Sequence, residues 1–435
     1  MAIDREEVLR YHLGGKIGLR IRKPVATLAD LCLAYTPGVA LAVQEIAAHP
    51  EAAFSYTGRS NLVAVVTDGT AILGLGDLGA EAAIPVMEGK AILFKRFGDV
   101  DAWPVPLHRC REGGRNTGRT DPARVIEHVA AIAPMYGGIN LEDIAAPACF
   151  EIEDTLDAML DIPVFHDDQW GTAVITLAGV LNYARLCERD LSELRVVING
   201  AGSAGIRIAE MLKAAGCASV ILCDSKGVLR TGRTDLTGKK REHAVDTFAA
   251  TVSDALEGAH LFIGVSVANC VRGQDLQRMA PYPGIFAMAN PDPEISPAEV
   301  AAALGRKPYV MATGRSDYPN QINNVLGFPF LFRGALDVRA RTINLAMKRA
   351  AADALAALAR EPVPEEIRAL YGEPDLAFGP RYLIPKPFDP RLFETVPLAV
   401  ARAASETGVA RQAFSAEAYA QELKNRQAAR RNELR

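Results

Sequence analysis

Hydrophobic and polar positions follow two different patterns along the chain, with a change near residue 160. In the first part, an amphipathic period predicts a helix over residues 3–13, and the apolar run at 62–67 predicts a buried strand. From residue 161 onward, β-branched runs alternate with helical periods. The predicted helices are 172–186 and 206–215, and the predicted strands are 195–199, 219–223, 260–265, 284–289 and 309–312. Alternation of this kind is typical of a parallel sheet covered by helices.

The pattern therefore predicts an α/β protein with three parts. Residues 1–160 form an α/β domain, residues 161–385 form a doubly wound domain of the Rossmann type, and residues 386–435 form a helical C-terminal tail. An alanine-rich helical stretch that begins near residue 336 precedes the tail. For the basic end of the tail we expect a solvated helix or a frayed terminus rather than an anion site. The cations of this end are Lys424, Arg426, Arg430, Arg431 and Arg435.

Composition and charge narrow the class of protein. The 435 residues are 49% hydrophobic and 23% charged, which argues against disorder, collagen and coiled coil. With 48 basic and 52 acidic side chains, the net charge is -4, so we expect no nucleic-acid or membrane partner. The charged N-terminus lacks the apolar core of a signal peptide, and we expect no run of about 18 apolar residues. Seven scattered cysteines without a C-x-x-C pair argue against disulfides and zinc–thiolate sites and favour a cytoplasmic location.

The pattern G-x-G-x-x-G occurs twice, as GLGDLG at residues 74–79 and as GAGSAG at residues 200–205. A dinucleotide site needs a strand before the first glycine, a helix after the last, and an acidic residue about 20 positions further on. The second copy meets all three conditions, and Asp224 is its acidic residue. The first copy is followed by Pro85, which should interrupt a helix, so we interpret it as a tight turn between closely packed backbones. The predicted pyrophosphate loop consists of Gly200, Ala201, Gly202, Ser203, Ala204 and Gly205.

The residues around Asp224 bear on the choice between NAD and NADP. A carboxylate at this position accepts hydrogen bonds from the adenosine ribose and by itself favours NAD. Ser225 and Lys226 follow directly, and further cations come shortly after, so they either neutralise a 2′-phosphate or lie in a solvated loop. These further cations are Lys239, Lys240 and Arg241. On the residues alone, both alternatives stay open.

Acidic residues occur near the ends of two apolar segments. Glu142 and Asp143 end the segment GGINLED, and Asp167 and Asp168 follow the strand IPVFH. Open α/β sheets bind their ligands at the carboxyl ends of strands, and hard oxygen ligands select Mg²⁺ or Mn²⁺. The same residues would serve equally well as helix caps or exposed charges. We expect His166 to be a partly buried, hydrogen-bonded strand residue rather than a ligand.

Taken together, the motifs closely resemble those of the malic enzymes, particularly the short bacterial form. The resemblance covers residues 10–380 in unbroken order. Its motifs are YTPGVA at 35–40, GTAILGLGDLG at 69–79, PVMEGKAILFK at 85–95, NLED at 140–143, FHDDQWGTA at 165–173, GAGSAG at 200–205, ANPDPEI at 289–295 and TGRSDYPNQINNVLGFPFLFRGALD at 313–337.

The resemblance implies oxidative decarboxylation of (S)-malate to pyruvate and CO₂, with Mg²⁺ or Mn²⁺ and with NAD or NADP. It implies that residues 1–160 bind substrate and metal and that residues 161–385 bind the dinucleotide. Carried over by motif, the catalytic residues are Lys90 as general base, Tyr35 as general acid, and Asp167 beside the metal. The implied metal ligands are Glu142, Asp143 and Asp168, and the groups implied for the substrate and the nicotinamide end of the cofactor are Asn290, Asn323 and Asn324.

Lys90 and Lys95 compete for the role of base. The MEGK motif of the family matches Lys90, whereas Lys95, if the segment is a strand, faces the opposite side. A base near pH 7 must be neutral, so we expect the pKa of this lysine to be lowered by burial or by a neighbouring cation.

Two residues differ from those that the family usually has at the same positions. A separate group of residues near Asp224 favours one of the two dinucleotides. Ala71 stands where relatives often carry an arginine that holds a substrate carboxylate, and Trp170 stands where the DDQ-x-GT motif would have His or Ile. Ser225, Lys226 and Lys240 resemble NADP-preferring members, which favours NADP.

Two other functions compete with this interpretation. One is a malolactic or oxaloacetate-decarboxylating activity at the same site. The other is a non-catalytic, NAD(P)-sensing protein, since a fold alone does not establish activity. The resemblance also implies a homodimer or homotetramer, with the N-terminal helical segment and the C-terminal tail as candidate subunit contacts.

Overall fold

The computed structural model describes residues 4–114 and 117–433, and its architecture is built on two largely parallel sheets. The first sheet has the strand order β2-β1-β3-β4, and all its pairings are parallel. Its strands are β1 (Leu62–Thr67), β2 (Asp101–Pro106), β3 (Gly138–Leu141) and β4 (Val164–His166). β4 completes this sheet although it lies beyond residue 160, where the sequence pattern changes.

The second sheet has six strands in the order β10-β9-β8-β5-β6-β7, with only β7 antiparallel. The order reverses between β5 and β8, which is the position where open α/β sheets bind ligands. The α/β, doubly wound fold class is therefore confirmed. These strands are β5 (Arg195–Asn199), β6 (Ser219–Asp224), β7 (Gly227–Val228), β8 (Leu261–Gly264), β9 (Gly284–Ala287) and β10 (Val310–Thr313).

The helices of the first half begin with an N-terminal segment and continue with three helices packed on the first sheet. They are α1 (Arg5–His12), α2 (Leu28–Ala34), α3 (Val39–Ala48), α4 (Ala53–Tyr56), α5 (Ala80–Gly98), α6 (Pro122–Ile132) and α7 (Ala148–Met159). Alternate residues of β1 point to different cores, because successive side chains of a strand point to opposite faces. Ala64 and Val66 pack under α6 and α7, whereas Val63 and Val65 join the core that both sheets share.

The remaining helices surround the second sheet and form the C-terminal part. They are α8 (Thr172–Leu186), α9 (Ser203–Ala214), α10 (Gly238–Glu242), α11 (Val252–Leu256), α12 (Gly273–Leu276), α13 (Pro297–Leu304), α14 (Phe328–Asp337), α15 (Leu345–Arg360), α16 (Glu365–Tyr371), α17 (Leu392–Glu406) and α18 (Ala416–Glu433). α8 and β5 have the predicted bounds, and α9 begins three residues before the predicted helix. α8, α14, α15 and α17 contribute to the same core as Val63 and Val196, so the two sheets share one hydrophobic interior.

The helix α5 corrects two sequence predictions. It begins directly after the first glycine motif, contains Pro85, and extends through residues 90–95, which the sequence suggested as a strand. Its buried residues Ala83, Met87, Ala91 and Phe94 are spaced by three or four positions, as a helix requires. Burial of this face offsets the hydrogen bond that Pro85 removes.

The N-terminal segment 5–56 contributes no fully buried residue to the core, although Phe54 of α4 packs against the core beneath the first sheet. Within its described helices no residue is buried, and large apolar side chains such as Leu19, Leu28 and Leu33 are exposed. By length and composition Leu28–Ala48 is apolar enough to cross a membrane, with a mean hydropathy of 1.4, although it contains Asp30 and Glu45. The turn around Pro37 divides this stretch into α2 and α3, and a single such segment near the N-terminus is weak evidence for a membrane span. Residue 3, where the predicted helix begins, lies outside the described residues.

The basic C-terminal helix is docked rather than solvated, contrary to the sequence prediction. Tyr419 and Leu423 of α18 are buried, and the Tyr419 hydroxyl donates to Asp337 Oδ2 at 2.8 Å. Arg430 Nη2 donates to the carbonyl of Lys95 at 3.2 Å, at the end of α5. The side chain of Arg431 and all of Arg435 lie outside the described part of the chain.

Candidate active site

Four carboxylates meet at the carboxyl ends of neighbouring parallel strands. Glu142 and Asp143 follow β3, and Asp167 and Asp168 follow β4 in a single π-helical turn that leads into α8. Parallel strands end at the same edge of a sheet, which is why segments 25 residues apart bring their acids together. One oxygen each of Glu142, Asp143 and Asp168 lies within 4.8 Å of the others.

This trio fits a divalent cation. The Asp143 amide donates to Asp168 Oδ2 at 2.7 Å, and the Leu73 amide donates to Asp143 Oδ1 at 3.2 Å. The other oxygen of Asp143, Oδ2, is buried and has no hydrogen-bond partner. A buried, unpartnered carboxylate oxygen is costly unless a cation binds it, and an all-oxygen set matches Mg²⁺ or Mn²⁺.

Crowding of these acids shifts their pKa values upward. Burial and the nearby carboxylates raise the pKa of Asp168 to about 7, and burial raises the pKa of Asp143 to about 6. Burial also raises the pKa of Glu142, against the opposing effect of Lys90. Clustered acids that resist ionisation in this way are stabilised in their charged form by a cation.

The Lys90 side chain reaches into the carboxylate cluster from α5. Its Nζ lies 2.6 Å from Asp167 Oδ2 and 2.9 Å from Glu142 Oε1. Lys95 instead pairs with Asp99 at 2.7 Å at the exposed end of the helix. Of the two candidate lysines, Lys90 is therefore the one that lies in the cluster, and the two are separated by helical and not by strand geometry.

Lys90 does not show the lowered pKa that we expect of a base. Burial opposes its positive charge, but the carboxylates around it outweigh burial, so its pKa is raised above the ordinary value. The protein's own groups thus hold Lys90 protonated.

The three asparagines predicted to hold ligands occupy different positions. Asn324 lies beside the cluster, and its Nδ2 donates to Asp167 Oδ2 at 3.0 Å. Asn323 caps the following short helix by accepting from the Val325 amide at 3.0 Å. Asn290 is exposed, and a Cβ on Gly74 would lie 2.6 Å from its carbonyl oxygen. This close approach supports the interpretation of the first glycine motif as a packing turn.

Two other predicted residues lie apart from this arrangement or differ from expectation. Tyr35 ends α2, its side chain is 69% exposed, and the polar partners of Lys90 among the described residues do not include it. His166 was expected to be hydrogen-bonded, but it is fully buried and neither ring nitrogen has a hydrogen-bond partner. Burial lowers the pKa of His166 to about 3, so the ring is neutral.

The second glycine motif forms a cradle at the reversal point of the second sheet. Gly200 has φ +121, and a Cβ there would lie 2.4 Å from the carbonyl oxygen of Val265, which follows β8. A Cβ on Gly205 would lie 1.7 Å from the Gly200 oxygen. Only glycine permits this loop, and α9 begins at Ser203 with its free amides directed toward the loop. The geometry fits a pyrophosphate.

Two cations hold Asp224: Lys240, which the sequence indicated, and Arg233, which it did not. Arg233 donates to both carboxylate oxygens at 2.9 and 3.1 Å, and Lys240 Nζ donates to Oδ2 at 3.0 Å. Burial opposes ionisation of Asp224, but these donors outweigh it and lower its pKa to about 2. Lys226 donates its amide to Asp224 and pairs through Nζ with Asp235.

The other residues of that loop are less involved. Ser225 is exposed, Lys239 lies 3.7 Å from Glu210, and Arg241 donates to the Leu236 carbonyl at 3.0 Å. Arg233 stands nine positions after Asp224 and follows the β7 turn, so no motif marked it.

Comparison with known proteins gives two family matches and several close relatives. Residues 15–157 match the malic enzyme N-terminal domain, and residues 170–374 match the malic enzyme NAD binding domain. The chain is 52% identical over 98% of its length to the NADP-dependent malic enzyme of Rhizobium meliloti (strain 1021), of which it covers 55%. It is 50% identical over 95% of its length to the NADP-dependent malic enzyme of Halomonas elongata, of which it covers 96%. The solved malic enzyme from Pyrococcus horikoshii Ot3 has a TM-score of 0.84 and 39% identity, with 97% of this chain and 95% of that chain covered.

The chain thus spans about half the length of the relative from Rhizobium meliloti and nearly all of the relative from Halomonas elongata.

Proposed function

Because the chain belongs to the malic enzyme family, we propose that it converts (S)-malate to pyruvate and CO₂ while reducing NADP or NAD. The observation that carries this proposal is the position of Lys90, held between Asp167 and Glu142 at the edge of the carboxylate trio. We propose that residues 1–160 supply the substrate and metal site and that residues 161–385 supply the dinucleotide site, with 386–435 as a helical tail.

The proposed reaction divides its tasks among a few side chains. Lys90 Nζ takes the proton of the malate 2-hydroxyl, and the Tyr35 phenol delivers a proton to carbon 3 after CO₂ has left. Asp167 and Asn324 orient Lys90 through the hydrogen bonds described above. When bound, a divalent cation held by Glu142, Asp143 and Asp168 would supply Lewis-acid polarisation of the substrate carbonyl, and a nicotinamide would supply the hydride acceptor.

The raised pKa of Lys90 has a direct consequence for this scheme. Glu142, Asp143 and Asp168 are the residues that would hold Mg²⁺ or Mn²⁺, and cancelling the charges of Glu142 and Asp168 removes part of what raises the pKa of Lys90, to which Asp167 contributes most. The base form of Lys90 is thereby more accessible when the trio is loaded than when it is empty. Asp167 is not a member of the trio and keeps its contact with Lys90.

For the cofactor we propose a preference for NADP. The pyrophosphate contacts the loop from Gly200 to Gly205. Asp224 is already paired with Arg233 and Lys240, so it is less available to ribose hydroxyls. The cations at this edge match a 2′-phosphate, which Arg binds well in its planar fork geometry.

We further propose that the protein is a cytoplasmic homodimer or homotetramer. Its seven cysteines are free thiols, in keeping with a reducing compartment. The apolar side chains exposed along α2 and α3 support self-association, since a second copy would cover them. Tyr35 lies on this segment. The way in which two subunits associate therefore determines whether Tyr35 reaches the Lys90 of its own subunit or that of the other subunit.

A single assay tests the proposed function. Purified protein is mixed with malate, Mn²⁺ and either dinucleotide, and reduced nicotinamide and pyruvate are both measured, with EDTA in the control. We expect equal amounts of the two products and loss of turnover with EDTA. Formation of a carboxylic acid product without reduced cofactor would indicate the malolactic or decarboxylase alternative. The absence of any metal-dependent turnover would contradict the proposal.

A further inference from the structure

A buried ionic cluster lies beside the carboxylates and has no part in the proposed reaction. Its centre is Trp170, whose Nε1 donates to Glu153 Oε2 at 3.1 Å. Two cations lie over the indole ring, with Lys348 Nζ 3.7 Å and the Arg207 guanidinium carbon 4.6 Å from the ring centroid. Each of these four side chains belongs to a residue that is less than one-tenth exposed. Paired charges buried at this depth restrict the geometry of the elements that carry them.

Arg207 joins the dinucleotide helix to the first sheet's side of the molecule. It lies on α9, one turn beyond the start of the helix at Ser203. Its Nη2 donates to Glu153 at 3.3 Å and to Asp154 at 3.0 Å, both on α7. Its Nε donates to Gln169 Oε1 at 2.9 Å, in the π-helical turn.

The hydrogen-bond partners of Arg207 hold the residues directly before and directly after Asp167 and Asp168 in the chain. Glu153 Oε1 accepts from the His166 amide at 2.9 Å, directly before the two aspartates. Gln169 and Trp170 follow the two aspartates and are bonded to Arg207 and Glu153, respectively. The backbone that presents Asp168 is therefore fixed at both ends by groups that depend on Arg207.

We propose that Arg207 is a positioning residue that couples the dinucleotide loop to the metal site, so that cofactor and divalent cation each strengthen the binding of the other. The inference rests on the proposed function for the identity of both ligands. Side chains that orient metal ligands typically change metal affinity by about 10–100-fold when they are removed. Coupling between two sites is reciprocal, so the effect is measurable from either ligand.

The test measures Mn²⁺ binding by electron paramagnetic resonance, without and with saturating NADP and in the absence of malate. The variants are Arg207→Gln, the charge-balanced double variant Arg207→Gln/Glu153→Gln, and Lys213→Gln as a control on the exposed face of α9. The double variant avoids leaving Glu153 as an unpaired buried charge, and circular dichroism establishes that it is folded.

We expect NADP to tighten Mn²⁺ binding by at least about 5-fold in the unmodified protein and in Lys213→Gln. In both Arg207 variants we expect Mn²⁺ binding without NADP to weaken by about 10-fold, and the effect of NADP to fall below about 2-fold. A folded double variant with unchanged Mn²⁺ affinity and unchanged NADP effect would overturn the inference. So would an unmodified protein whose Mn²⁺ affinity does not respond to NADP. Failure of the unmodified protein to bind Mn²⁺ would instead overturn the proposed metal site.

Discussion

Lys90 Nζ lies 2.6 Å from Asp167 Oδ2, within a cluster that also holds Glu142 at 2.9 Å. A buried lysine between two acids is either an ion pair that fixes the fold or a proton acceptor whose charge depends on what else binds there. The two possibilities differ in what the loss of the amine does to turnover and to cofactor binding.

We predict that Lys90→Ala lowers kcat by about 10²–10⁴-fold, because a positioned base contributes about that factor. Binding of NADPH, measured by fluorescence, should stay within about 2-fold, since the Lys90 amine pairs with Asp167 and Glu142 and not with the glycine loop. The matched control is Lys95→Ala, five residues along the same helix, where the amine pairs with Asp99. Near-normal malate oxidation by Lys90→Ala would remove Lys90 from the mechanism.

The crowded acids make a prediction about pH. An aspartate whose pKa is raised on folding binds its proton more tightly in the folded chain, so its contribution to stability declines as pH rises from 3.8 to about 7. In EDTA, Asp168→Asn should therefore have a higher Tm than the unmodified protein at pH 8. The difference should shrink toward pH 5, where Asp168 in the unmodified protein is itself protonated.

Adding Mn²⁺ at pH 8 should reverse this order. The unmodified protein gains about 2.7 kcal/mol of unfolding free energy when Mn²⁺ is at 100 times its Kd, whereas Asp168→Asn gains little. The control Asp375→Asn changes an exposed carboxylate and should follow the unmodified protein under both conditions. A Tm difference for Asp168→Asn that does not vary with pH would contradict the assigned pKa.

Cofactor choice is predicted to depend on Arg233. Arg233→Ser removes a guanidinium from the Asp224 edge, and a charge-assisted hydrogen bond from such a group to the proposed 2′-phosphate would be worth about 1.5–3 kcal/mol. We expect kcat/KM with NADP to fall by about 10–100-fold and kcat/KM with NAD to change by less than about 3-fold. Arg241→Ser is the control, because Arg241 bonds a backbone carbonyl in the same region. An equal loss with both dinucleotides would show that Arg233 supports the loop and not the phosphate.

The hydrophobic pattern predicted those helices and strands whose bounds are set by neighbouring residues in the chain. The strand β1 is continuously apolar, and α8 begins after a D-D-Q-x-G signal, so both had the predicted bounds. The strand ends also placed Glu142 and Asp168 at one edge of the sheet, because parallel strands terminate together.

What the sequence did not predict depends on contacts between distant segments. Pro85 is tolerated within α5 because tertiary burial of the helix outweighs a lost hydrogen bond. The role of Trp170 is set by Arg207 and Lys348, which lie 37 and 178 positions away in the chain. The docking of α18 likewise depends on Asp337, a residue on α14. The spacing of residues along the sequence predicts none of these contacts.

The exposed apolar segment gives the last prediction. Leu33 and Leu41 are 77% and 72% exposed. Burying a leucine side chain contributes about 1.5–3 kcal/mol, so burial of these two against a second copy of the chain would stabilise an oligomer. Leu33→Asp/Leu41→Asp should shift the mass measured by light scattering from a multiple of 46.6 kDa to that of one chain. Leu370→Asp, which changes a leucine of similar exposure on α16, should leave the mass unchanged. Because Tyr35 lies between the two leucines, the double variant should also lose most of its kcat while NADPH binding persists. A double variant that keeps both the oligomer and its activity would show that this segment neither joins subunits nor delivers Tyr35 to the site.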